Sequence, residues 1–366
     1  MAYLPLSTAN LPDPAIDPAQ GSSPADYFNT VLWSGDGTST RSITGVGHQP
    51  DMLWIKNRSS SSYNHHLVDA VRGVSNRLVP NGTQAEAPSY VNSFEADGFE
   101  LNSDTTVNGS GNSYVGWNWK ANGSGVSNNV GTIPSQVSAN TESGFSIITY
   151  TGNGTAGATV GHGLNSAPEM IIIKARNDTD SWPVYHVGNT YSGSPENSQL
   201  NLNSTTDGSG GATPAIWWNS TAPTSSVFSL GTNGGLNQST ELYVSYVFHS
   251  VEGFSKFGSY TGNGNADGTF VYTGFRPAFV MIKRTDSSDR WFMGDSTRSP
   301  TNTSDGIRLL DASGIDAEFA NSPAEDYDML SNGFKINTSD NGINASGGTY
   351  IYMAFAENPF KYSNAR

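Results

Sequence analysis

The 366-residue chain contains no cysteine, which excludes disulfides and thiolate metal sites. Secreted domains of lean composition often carry a disulfide, so its absence fits synthesis in a reducing cytoplasm. Cationic side chains are scarce: 18 Lys plus Arg stand against 32 Asp plus Glu, the net charge is −14, and no basic stretch occurs. That argues against a protein that tracks nucleic-acid phosphates. No apolar run is long enough to cross a membrane as a helix, and the N-terminus lacks the basic start and apolar centre of a signal peptide. Neither G-x-S-x-G nor H-E-x-x-H is present, and the six histidines are scattered. The expectation is a protein that is not an enzyme and has no cofactor and no metal.

What the chain has in plenty is glycine, 41 residues, with Ser, Thr and Asn, in turns between short aromatic and β-branched runs. That pattern predicts an all-β protein. The phrase "YTGNG" occurs at 150–154 and again at 260–264, and "LWSGDG" at 32–37 is a degraded copy. It reads as a tight turn, where Asn and Gly tolerate positive φ. Pro50, Pro168 and Pro277 follow the three phrases, each six residues before a lysine (Lys56, Lys174, Lys283), so the period is 118 and then 109 residues. Such a period is one small domain, too long for a solenoid unit.

Between each proline and lysine lies a continuous apolar run, "MLWI", "MIII" or "FVMI", which predicts a strand buried on both faces. Trp54, Ile172 and Met281 should therefore share equivalent surroundings. A second strand closes each repeat: "YVGWNW" (114–119), "YVSYVF" (243–248) and "YIYMAF" (350–355). Alternation puts Val115, Trp117 and Trp119, then Val244, Tyr246 and Phe248, then Ile351, Met353 and Phe355 on the core face. Trp182 and Trp291, each eight residues after its lysine, read as packing residues. The architecture expected is three tandem antiparallel β-sandwich domains, jelly-roll-like, at 27–123, 145–255 and 256–366. A linker is expected at 124–144, and an extended proline-rich arm at 1–26.

The arm needs a surface to be ordered, so it is expected to dock on a partner through Leu4, Pro5, Leu11, Pro12, Pro14, Ile16 and Pro18. "EADGFE" (95–100) matches a pattern of sandwich glycosidases in which paired carboxylates act as nucleophile and acid. Repeat 3 carries Leu330, Asn332 and Lys335 at the matching places, and Asp97-Gly98 reads as a turn, so this motif is expected to be structural. "GNGTAG" (152–157) lacks the following helix that a phosphate cradle requires. The Asp- and Asn-rich loops at 177–180 and 338–342 match no known calcium loop. Trp217 and Trp218, if in a strand, would point to opposite faces and leave one ring open to stack on a sugar.

The stretches "YFNTVLWSGDGTSTRSITGVGHQPDMLWIKNR", "SFEADGFELNSDTTVNGSGNSYVGWNWKANG" and "VEGFSKFGSYTGNGNADGTFVYTGFRPAFVMIKRTD" resemble a repeat found in virion proteins of marine tailed bacteriophages, including cyanophages and pelagiphages. The resemblance covers about residues 27–360 and brings no catalytic residues with it. It implies a structural protein of the virion surface, a capsid decoration or cement protein or a tail fibre. Such a protein would be assembled in the host cytoplasm, with other virion proteins of capsid or tail as partners and host-surface glycans as further contacts. Lean cores predict that contacts between copies add stability, in a trimer or another symmetric homo-oligomer. A carbohydrate-binding or glycosidase-like sandwich protein not tied to a virion is the alternative.

Overall fold

A computed structural model describes residues 11–209, 213, 215–302, 306–319 and 326–363. The chain is an all-β protein of antiparallel sheets stacked as sandwiches. Each repeat begins with the same inner sheet of four strands. In repeat 1 the order is Phe28–Ser34, Ser113–Trp119, Met52–Asn57, His66–Asp69. In repeat 2 the same order runs Phe145–Thr151, Leu242–Phe248, Met170–Ala175, Pro183–His186, and in repeat 3 Ser255–Thr261, Thr349–Pro359, Phe275–Arg284, Trp291–Asp295. A smaller outer sheet covers one face of each, built on Gly98–Leu101, Val227–Leu230 and Gly333–Ile336 respectively.

The recurring turn is held by an asparagine and a tyrosine. Fully buried Asn108, Asn237 and Asn344 accept from the backbone N–H of Asp36, Asn153 and Asn263 at 3.2, 3.0 and 2.9 Å. Their carbonyls accept from Gly37, Gly154 and Gly264, whose φ of 73°, 70° and 70° favours glycine. The turn's first glycine (Gly35, Gly152, Gly262) presses on the opposite backbone, and an added Cβ would collide with the carbonyl of Gly109, Gln238 or Ala345. Tyr114, Tyr243 and Tyr350, which open the closing strands, accept from the N–H of Gly109, Gln238 and Ala345 at 2.8, 2.8 and 2.7 Å. "YTGNG" recurs because each sandwich ends in this same clasp.

The alternation read from the closing strands is present, but the face it marks is not each repeat's own core. Val115, Trp117, Trp119, Val244, Tyr246, Phe248, Ile351, Met353 and Phe355 all belong to one core shared by the three repeats. Trp54, Ile172 and Met281 lie in it too. Phe28 stacks on Phe355 with centroids 4.8 Å apart, Trp117 meets Phe279 at 5.9 Å, and Phe248 meets Phe355 at 6.2 Å, so rings of all three repeats touch. The opposite face of each inner sheet packs under its outer sheet, in a core private to repeat 1, 2 or 3. Strands Met52–Asn57 and Met170–Ala175 are consequently buried at every position.

One boundary and the arrangement of the repeats differ from expectation. Residues 124–144 are not a free linker: Val126–Asn128 and Ser135–Asn140 are strands that extend the inner sheet of repeat 2, because Ile133 and Val137 reach its private core. The repeats are also not beads on a string, since each packs against both others.

Replacing Asn344 by Ala removes three donated hydrogen bonds, to Asn263, Asn265 and Thr338, and leaves the Asn263 N–H unpaired. The expected cost is about 3 kcal/mol, read as a lowered midpoint in chemical denaturation.

Candidate functional site

Three seams join the repeats, and their chemistry is cyclic. At each seam an aromatic N–H from a repeat's fourth strand region reaches a carbonyl of the preceding repeat. Trp182 Nε1 donates to Val79 and Gly82 (3.1 and 3.0 Å), Trp291 Nε1 to Asn201 (3.0 Å), and His65 Nε2 to Asp311 (3.0 Å). The backbone N–H of Glu86, Gly208 and Glu318 donates to the carbonyl of Arg176, Thr285 and Arg58. Two of these seams add a bidentate ion pair: Arg176 with Glu86 at 2.9 and 3.1 Å, and Arg58 with Glu318 at 2.7 and 2.8 Å. The third has Thr285 and Gly208 at the same places, where the backbone bond stands without an ion pair.

Beneath them, buried Arg72 binds Asp69 and buried Arg298 binds Asp295, and each carboxylate also accepts from the next repeat: Tyr246 Oη at 2.7 Å and Trp117 Nε1 at 3.1 Å. Repeat 2 has His186 and Asn189 there instead; His186 Nε2 donates to the Tyr352 carbonyl at 3.1 Å. These groups were not singled out in the sequence, although a signal exists. Asp-x-x-Arg occurs at both Asp69–Arg72 and Asp295–Arg298, and an arginine stands two residues after Lys56 and Lys174. The lysines themselves are buried and donate to backbone carbonyls; burial pushes Lys56, Lys174 and Lys283 each down to about 8.

The arm lies across one end of this ring. Leu11 and Pro12 border a groove with Tyr272, Gly274 and Phe360, and Pro14 packs against Gly253. The Ala15 N–H donates to the Glu252 carbonyl, and Ile16 enters the shared core. Asp13 pairs with Lys361, and Asp17 accepts from Tyr362 Oη at 2.7 Å, a bond that pushes the phenol up to about 12. Asp17 also caps a short 3-10 turn, Pro18–Gln20, and Ser23 with Asp26 forms a capping box on a second, Pro24–Asp26. The Ala25 carbonyl meets His48 Nδ1 at 3.0 Å, tying the arm to repeat 1. The surface that orders residues 11–26 is therefore this chain's own. Ile16, expected to face a partner, is buried at home because it completes the apolar centre. Leu4 and Pro5 lie outside the described residues.

The other expected sites resolve as follows. Trp217 and Trp218 sit in a short helix, Ala215–Trp218, not a strand, so they do not point to opposite faces. Trp218 is buried against Tyr185 and donates to the Ser198 carbonyl at 3.1 Å; Trp217 is half-buried against the same core. In "EADGFE", Asp97 accepts from the N–H of Gly45 and Gly47, which hold its carboxyl below the usual range. Glu95 accepts from Ser42 at 3.0 Å and Glu100 from Asn92 at 2.8 Å. Each carboxylate of that motif serves a local bond. Among the described residues no cluster of three or more His, Asp or Glu is placed to hold a metal, and no helix is long and apolar enough to cross a membrane.

The chain belongs to the family described as a domain of unknown function, DUF7483, whose model matches residues 23–359. The match takes the three repeats as one unit, as the shared core does. No curated protein and no solved structure matches the chain.

Acid should destabilise the ring, at two seams through His65 and His186 and within repeat 2 through His162. His65, His162 and His186 each accept at Nδ1 from an N–H, of Trp54, Leu164 and Gly188, and donate from Nε2, so all three are neutral as folded. Burial lowers their pKa, to about 4 for His186 and well below the usual value for His65. The unfolded chain takes up these protons near pH 6.5 and the folded chain does not. Stability is thus full well above pH 6.5 and is lost as pH falls toward 4, by about 3 kcal/mol from His186 alone. Melting curves from pH 7.5 to 4.5 should show this fall, and His186→Gln should flatten part of it.

Proposed function

We propose that the protein is a non-enzymatic structural module of a phage virion surface, attached at its arm end and displaying the opposite end of the ring. The observation that carries this reading is that residues 11–17 lie against residues 359–362 at one pole. The turns that follow strands Phe28–Ser34, Phe145–Thr151 and Ser255–Thr261 lie at the other ends of those strands, toward the opposite pole. A ring closed on its own core needs no second copy to bury its apolar centre, which suits a module mounted singly by one end. The resemblance to repeats of marine phage virion proteins supports the same reading.

The arm must be tested without breaking the fold. Removing residues 1–26 takes Ile16 out of the shared core, a loss of about 3 kcal/mol from that side chain alone. Removing residues 1–10 spares every arm contact described above. The shorter deletion should melt like the intact chain yet lose co-sedimentation with particles; retention at the intact level would refute attachment through this segment.

A further inference from the structure

Repeat 2 carries an addition that ring closure does not require. Strands Val126–Asn128 and Ser135–Asn140 lie outside Phe145–Thr151, whereas the inner sheets of repeats 1 and 3 end at Phe28–Ser34 and Ser255–Thr261. No residue of 126–140 belongs to the shared core. At the end of the ring opposite the arm, the addition and the strand ends of repeat 2 enclose an open groove of about 250 Å³. Its chemistry is carried by Ser127, Ser135, Gln136, Thr149, Arg176 and Leu242.

Arg176 is the one charged side chain in the lining, and Glu86 neutralises it at 2.9 and 3.1 Å. The remaining polar groups are hydroxyls and carboxamides. Ser135 is 5% exposed, and its hydroxyl has no hydrogen-bond partner among the described residues. Apolar surface in the lining is supplied by Leu242, which is 39% exposed. Leu242 stands where the other repeats place Ser113 and Thr349.

We propose that this groove binds an uncharged glycan. A sugar ring offers hydroxyls at its edge and an apolar C–H face, matching the carboxamides and hydroxyls around Leu242. An acidic or phosphorylated ligand finds no unpaired cation in the lining, and a cationic one finds no carboxylate. The site deepens the display reading above and rests on it for its biological setting, because the groove lies on the end away from the arm.

The intact chain should bind neutral members of an array of immobilised neutral, amino and acidic oligosaccharides. Gln136→Ala and Leu242→Ser, both outside the shared core, should leave melting unchanged and weaken that binding about 10-fold each. Silence on all neutral sugars, binding of acidic sugars alone, or binding untouched by both substitutions would overturn the site. Particle co-sedimentation, followed in parallel, separates the two readings. A silent array with co-sedimentation intact removes only the groove, and glycan binding without co-sedimentation removes only the virion setting.

Discussion

The whole molecule depends on one constraint: each inner sheet is apolar on both faces, and one sandwich can cover only one of them. The outer sheet of each repeat takes the Tyr114, Tyr243 or Tyr350 side. The side bearing Trp117, Tyr246 and Met353 has no cover of its own, so three such sides close on one another. A single repeat cut from the chain would expose a face of large aromatic and aliphatic side chains, far beyond the patch size a soluble monomer tolerates. Closure of the ring is thus the folding unit, in keeping with a family match that runs unbroken from 23 to 359.

Apolar closure fixes which faces meet, but not their register. The seams supply that. A buried Asp–Arg pair contributes little net stability, because desolvation offsets most of the attraction, yet a mismatched partner would strand a charge at a cost of several kcal/mol. Asp69 is satisfied by Arg72 and Tyr246 together, and Asp295 by Arg298 and Trp117 together. Only one neighbour in one register completes either set. The seam between repeats 2 and 3 places neutral groups at the matching positions, His186, Asn189 and the Gly208 backbone. There is no room for a larger side chain at Gly208, since an added Cβ would overlap the Asn189 amide. The ring is thus repeated in geometry but not in charge, and its seams respond differently to salt and to acid.

Much of the fold was legible in the sequence. The period, the turn phrase and the two-residue alternation all correspond to real elements, because each is a local consequence of backbone geometry. What alternation does not encode is the identity of the covering layer. Val115, Trp117 and Trp119 announce an apolar face, and nothing local says whether an outer sheet or another repeat lies on it. The stretch at 124–144 misled for a related reason: its Ser, Asn and Gly content is that of a linker, while two apolar side chains, Ile133 and Val137, suffice to pin it as a hairpin. Adjacent Trp217 and Trp218 carry no mark distinguishing a strand from a four-residue helix. The arm's prolines gave no sign of the two 3-10 turns at Pro18–Gln20 and Pro24–Asp26, and Ile16 gave no hint that its surface was the chain's own.

A three-repeat chain differs from a trimer of one repeat in what it can afford to vary. In a trimer every substitution appears three times, so a groove, a neutral seam or an arm contact must suit all three positions at once. Here each can appear once. Repeat 1 receives the arm through His48, repeat 3 anchors it through Lys361 and Tyr362, and repeat 2 alone bears the added hairpin. The buried asparagine clasp and the shared core stay common because all three sandwiches need them to fold. The differences gather where the ring does not need identity: at its two ends and along one seam. That division is the physical reason to look for function at the poles of the ring and to assign the repeated phrases to the scaffold.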